Sequence, residues 1–203
     1  MEARFSKVYS THTWGRGSGP GSKFTADNKW FLNELRTIID NNPIKTICDA
    51  GCGDWEIMKH MEWKEDERYV GTDVVGTEVE KLRNNYETDN ITFRQQDIST
   101  DVPSGYDLVI IKDVIQHWDD DVIVPFLREL IQNNKYVYCV NGFKFMRDTS
   151  KNDVFEETGE RELDKKYHYH PIRFDVGVME QFEEYIYEQK QRRAKEYNLF
   201  SRD

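Results

Sequence analysis

Five short apolar runs, each closing on a polar or glycine-rich turn, constrain this chain more than any other feature. They are "IKTICDAGCGD" (44–54), "RYVGTDV" (68–74), "ITFRQQDI" (91–98), "YDLVIIKDVI" (106–115) and "KYVYCVNGF" (135–143). Runs that are apolar without alternation suit strands buried on both faces. Between them lie segments of helical period. A helix is predicted from a Thr25 or Asp27 cap through Trp30, Phe31, Leu35, Ile38 and Ile39, stopped by "NNP" at 41–43. Further helices are predicted from Trp55 to about Trp63, over "GTEVEKLRNNY", and over "DDDVIVPFLRELIQ", whose acidic first turn suits the helix dipole. Strands alternating with helices imply an α/β fold with a parallel sheet covered on both faces. Residues 1–25 lack periodicity and read as loop, and 144–175 read as a long functional loop. "QFEEYIYEQ" (181–189) and "KEYNLFSR" (195–202) suit two closing antiparallel strands, although the first also fits helical spacing.

At 203 residues the chain is read as one domain, 1–203. No apolar run is long enough to span a membrane and no secretory leader is seen, so a cytoplasmic location is expected. Three scattered cysteines, Cys48, Cys52 and Cys139, support neither a zinc site nor a disulfide framework. The net charge of -10 argues against a nucleic-acid partner. The local "KQRRAK" run (190–195) reads as a solvated face.

The chemistry concentrates at strand ends. In "DAGCGDW" a strand reaches Gly51 and Gly53 before the helix predicted from Trp55, which lets a ligand approach the backbone. The third glycine of a dinucleotide fingerprint is missing, and Asp49 precedes the first, which suits a cofactor with a cationic end better than a pyrophosphate. Asp73 ends the second strand, twenty residues after Gly53, where an acid can accept both hydroxyls of a ribose. Asp97 ends the third, placed to accept from an adenine amino group while Ile98 packs on the ring. Any one of these acids could be a turn or cap residue. Three at successive strand ends converge on the crevice where open α/β sheets bind ligands.

On "ICDAGCGDW", "YVGTDV", "QQDI" and "YDLVIIKDVIQHW" the chain resembles the class I S-adenosylmethionine-dependent methyltransferases. The resemblance implies a Rossmann-like three-layer sandwich with a mostly parallel seven-stranded sheet and a closing antiparallel hairpin. It implies S-adenosyl-L-methionine as cofactor, with Asp49, Gly51 and Gly53 around its methionine end, Asp73 and Val74 at the ribose, Asp97 and Ile98 at the adenine, and Lys112 beside them. Trp55 departs from the family pattern, which often has glycine there. The segment "WGRGSGPGS" (14–22) is similar to one found upstream of the first motif in a subset of small methyltransferases. Residues 1–24 would then cover the cofactor, Trp14 and Ser22 contributing side chains. The alternative is a disordered arm, against which Trp14 and Phe24 weigh.

Methyl transfer to a hydroxyl needs a proton acceptor, and "IIKDVIQHW" offers His117 as general base with Asp113 in support. His117 could instead support the loop. "KKYHYHPIRF" supplies Tyr167, His168, His170 and Arg173 for a polar acceptor, with Lys144 and Glu156 as further candidates, or else packs as an edge strand. The favoured acceptor is a sugar or glycan hydroxyl, and no metal is expected. An amine or carboxylate of a small metabolite or protein, and a non-catalytic cofactor-binding module, are the alternatives. Oligomeric state is not legible.

Overall fold

The computed structural model describes residues 2–14, 17–143 and 170–202. Among these residues four α-helices, α1 (Glu2–Thr11), α2 (Ala26–Asn41), α3 (Gly76–Tyr86) and α4 (Asp120–Asn133), accompany seven strands. The strands are β1 (Thr46–Ala50), β2 (Arg68–Asp73), β3 (Ile91–Gln95), β4 (Leu108–Lys112), β5 (Tyr136–Gly142), β6 (Ile186–Arg192) and β7 (Lys195–Ser201). They form one mixed sheet in the order β3-β2-β1-β4-β5-β7-β6, mostly parallel with an antiparallel closing hairpin, as expected. The chain divides into two compact units, Met1–Val109 and Ile110–Asp203.

In the first unit β1, β2 and β3 pair in parallel, with Asp49 opposite Gly71 and Asp73 opposite Gln95. Gly71 is required there, since a Cβ at this position would lie 2.7 Å from the Phe93 ring. Helix α2 starts where the Thr25 hydroxyl accepts the Asn28 amide at 3.3 Å. It buries Phe31, Leu32, Leu35, Ile38 and Ile39 along one stripe. β4 is anchored at its start by Asp107, whose Oδ2 accepts the Lys45 and Thr46 amides and the Thr46 hydroxyl at 2.9–3.0 Å. In the second unit β7 inserts antiparallel beside β5 and carries β6 on its outer side. Both β5 and β7 are buried almost throughout, while β6 is largely exposed, with Glu188 and Lys190 blunting the edge.

Four local expectations are corrected. Residues 2–11 are helical, not loop. This helix buries no residue, so its periodicity is faint, and tertiary contacts hold it (below). The helix expected from Trp55 to Trp63 is absent: turns lead to one 3-10 turn at Met58–His60. Trp55 takes a left-handed φ of 58° and is buried among Tyr69, Tyr86 and Phe93, ring centroids 5.0–5.9 Å away. Burying the indole outweighs the small helical propensity of the segment. Strands β3 and β4 end at Gln95 and Lys112, short of Ile98 and Ile115. Finally, Gly177–Tyr185 is a 3-10 helix, and strand structure begins only at Ile186.

Candidate functional site

The acids read from the sequence lie at strand ends within the first unit. Asp49, 4% exposed in β1, accepts the Tyr69 hydroxyl on Oδ2 at 2.6 Å, and Tyr69 accepts the Trp55 indole N–H at 3.0 Å. Burial, then the nearby Asp49 carboxylate, pushes the Tyr69 hydroxyl well above its ordinary range, so it stays a donor. Asp73 accepts the Gly53 amide on Oδ2 at 3.0 Å and the Val75 amide on Oδ1 at 2.9 Å. Burial nevertheless raises its pKa, the two amides opposing. Each carboxylate oxygen keeps a further lone pair for a hydroxyl donor. Asp97 accepts the Ser99 hydroxyl at 2.6 Å and amide at 3.2 Å; partial burial pushes its carboxyl up, but these bonds contribute to holding it below the usual range. Ile98 beside it is buried, and the Val74 carbonyl accepts from the Gln95 side chain at 3.1 Å.

The glycine turn carries this geometry differently from the expected helix start. Gly51 and Gly53 take φ of 84° and 59°, which favour glycine. The Gly51 and Cys52 amides both donate to the Thr72 carbonyl, at 2.8 and 2.9 Å, curling the turn back over the end of β2. Of the turn's backbone donors, two are thus spent on the Thr72 carbonyl and the Gly53 amide on the Asp73 carboxylate.

The opening glycine segment is ordered against this turn. The Ser18 amide donates to Asp54 Oδ2 at 2.8 Å, the Asp54 amide donates to Ser18 Oγ at 2.7 Å, and Tyr9 Oη lies 2.8 Å from the same Ser18 oxygen. Bare backbone is needed at both contacts. A Cβ on Gly53 would meet Ser18 Oγ at 2.3 Å and Tyr9 Oη at 3.4 Å, and one on Gly17 would meet Asp54 Oδ2 at 1.9 Å. Burial, then the Asp73 carboxylate, pushes the Tyr9 hydroxyl far above its ordinary range. Helix α1 therefore stands near Asp73, with Glu2 accepting from Gln95 at 3.1 Å farther along and Phe5 meeting Trp14 edge-on at 6.1 Å. Trp14 thus packs on α1, and Ser22 turns back on the Gly19 carbonyl through its amide and hydroxyl, at 3.2 and 2.8 Å. The contacts among Tyr9, Ser18 and Asp54 are not legible in the sequence, since hydroxyls and acids at such spacings are common on any surface.

The second unit holds the other group. Asp113 follows β4 with φ 61°, a conformation costing an ordinary residue about 1–2 kcal/mol, and its amide donates to the Val140 carbonyl at 2.8 Å. Its Oδ2 is 2.7 Å from Lys112 Nζ and also pairs with Lys195 Nζ. Burial pushes the Asp113 carboxyl up, but the two ammoniums outweigh it and hold it well below the usual carboxylate range. His117 ends a one-turn 3-10 helix (Ile115–His117) and is 8% exposed. Gln116 Oε1 accepts the Gly142 amide at 2.7 Å, and the Gln116 carbonyl accepts the His170 amide at 2.8 Å. Arg173 pairs with Asp175 through two nitrogens. Tyr167, His168, Lys144 and Glu156 lie outside the described residues. Among the described residues there is no group of three His, Cys, Asp or Glu side chains that could hold a metal ion, and no helix is long and apolar enough to cross a membrane.

Comparison with known proteins agrees with this fold. A methyltransferase domain model matches residues 47–136. No curated protein matches the sequence. Among solved structures, the methyltransferase domain of bacterial CtHen1 shares 17% identity with a TM-score of 0.62, covering 86% of this chain and 99% of that one. The magnesium protoporphyrin IX methyltransferase of Synechocystis PCC 6803, solved with bound SAH, shares 14% identity at a TM-score of 0.59 over 98% of this chain and 95% of that one. The 16S rRNA methylase ArmA shares 14% at 0.52, over 99% and 97%. These likenesses carry the fold, and the acceptors they name are diverse. A methyltransferase domain is thus matched over residues 47–136, within a fold shared with methyltransferases of known structure.

Proposed function

We propose that the chain transfers a methyl group from S-adenosylmethionine to a hydroxyl of a sugar, glycan or similar small polar acceptor. The acids fit the cofactor: buried Asp73, already fixed by the Gly53 and Val75 amides, would hold its ribose, buried Asp49 its cationic end, and half-buried Asp97 with Ile98 its adenine. When bound, the cofactor supplies an electrophilic methyl on a sulfonium. The chain's own work is to orient that methyl, exclude water and take a proton from the acceptor. Residues 1–24 serve the second task. Their support is the Tyr9–Ser18–Asp54 latch, which seats the segment on the glycine turn.

The acceptor falls to the second unit, at the exit of β4, where Asp113 and His117 lie and the His170 backbone is tied to Gln116. A hydroxyl acceptor is favoured because its deprotonation calls for ionisable groups there. The net charge of -10 favours a small or glycan acceptor over a polyanion. The observation that carries the reading is the Asp73 carboxylate, buried at a strand end and bonded to the glycine turn.

The test is calorimetric titration with S-adenosylhomocysteine of the full chain and of one lacking residues 1–22. Micromolar binding that weakens sharply on truncation supports both donor and cover. Binding unaffected by truncation keeps the donor and removes the cover, and no binding to the full chain overturns the reading.

A further inference from the structure

The acceptor end of the second unit contains a basic group that its sequence context disguises. Lys195 is the last residue of the "KQRRAK" run, yet it opens β7 and lies opposite Gly142, the last residue of β5. Its ammonium turns inward onto Asp113 Oδ2, the oxygen that Lys112 also contacts. One carboxylate shared by two ammoniums, on a residue in a disfavoured backbone conformation, is the kind of over-determined arrangement that functional sites retain. The cluster sits at the C-terminal ends of β4 and β5, the edge at which open α/β sheets take ligands.

The side chains of Lys195 and Asp113 each keep 21% of their surface exposed, whereas His117 keeps 8%. Burial drives the Lys195 ammonium down to about 8, with Lys112 adding to the effect and Asp113 opposing it. Those two are the charged side chains that act on it most strongly. A base with that proton affinity has a useful neutral fraction near neutral pH.

We propose that Lys195 is the catalytic base that takes the acceptor hydroxyl's proton, with Asp113 as its positioning residue. The neutral Nζ accepts the proton as the acceptor oxygen bonds to the methyl carbon. The carbon–sulfur bond breaks with its electron pair remaining on sulfur, giving a neutral thioether, and the new ammonium is held by Asp113. This inference rests on the reading of the chain as a hydroxyl methyltransferase.

Its test is competitive acylation of the full chain with acetic anhydride between pH 6 and 10, read lysine by lysine by peptide mass spectrometry. Lys195 is expected to be half-protected near pH 8, about two units below an ordinary lysine. In Asp113→Asn the midpoint falls further, because the carboxylate no longer favours the ammonium. A Lys195 midpoint matching exposed lysines, or a side chain that resists acylation throughout, overturns the assignment. Calorimetry with S-adenosylhomocysteine on the same samples separates the two ideas. Loss of binding by the unmodified chain defeats the methyltransferase reading whatever Lys195 does, whereas intact binding with an unreactive Lys195 defeats only the base.

Discussion

Ser18 and Asp54, separated by 36 residues, each donate a backbone amide to the other's side chain, at 2.8 and 2.7 Å. The exchange ties the glycine segment to the turn that positions Asp73. Hydrogen bonds to a charged group contribute about 1.5–3 kcal/mol, and neutral ones about 1 kcal/mol. Ser18→Ala should therefore weaken S-adenosylhomocysteine binding about tenfold while leaving the circular dichroism spectrum unchanged. Gly17→Ala should do at least as much, since its Cβ would overlap the Asp54 carboxylate. Wild-type calorimetric affinity in both variants would detach residues 1–24 from the cofactor site.

Asp73→Ala should nearly abolish S-adenosylhomocysteine binding. The carboxylate serves the ligand and also holds the Gly53 and Val75 amides, so the turn loosens as the ribose acceptor disappears. An affinity within twofold of wild type, measured by calorimetry on a folded variant, would remove Asp73 from the site.

Stability depends on a pair remote from the chemistry. Glu67, 1% exposed, accepts both Arg36 guanidinium nitrogens at 2.6 and 3.0 Å and the Lys64 amide at 3.1 Å. Glu67→Ala leaves a half-buried guanidinium without this partner and should cost about 3 kcal/mol. A lowered urea midpoint with unchanged slope is the expected result, and an unchanged midpoint would show that Asp40 alone suffices for Arg36.

Acid should expose the role of Asp113. Its carboxyl is held below the unfolded value, so the stability it contributes is complete above about pH 4 and is lost as pH falls through the folded value. Asp113→Asn should thus be less stable than wild type at pH 6, with the gap closing towards pH 2. A gap that persists undiminished in acid would assign the loss to backbone or packing instead.

Much of this architecture is legible in the residues themselves. The apolar runs ending at Asp49, Asp73 and Lys112 announce parallel strands because nothing in them alternates, and the Thr25 cap with the Phe31-to-Ile39 stripe announces α2. Asp73 could be placed because strand length and the spacing from Gly53 together fix its position. Helix α1 could not be found, since it buries no residue and gains its order from partners such as Ser18 and Gln95. The missing helix after the glycine turn has the opposite cause: Trp55 reads as a permissible helix residue, but three rings distant in sequence claim it. Lys195 was hidden by composition, for a basic run looks solvated until a strand partner turns its last residue inward.

The chain Trp55–Tyr69–Asp49 has an optical consequence. An indole whose N–H rests on a phenol, which in turn rests on the acid proposed to face the cofactor's cationic end, is coupled through two hydrogen bonds to the charge at that acid. Its excited state should respond when that charge is neutralised, so the emission of Trp55 makes ligand arrival visible without any added dye.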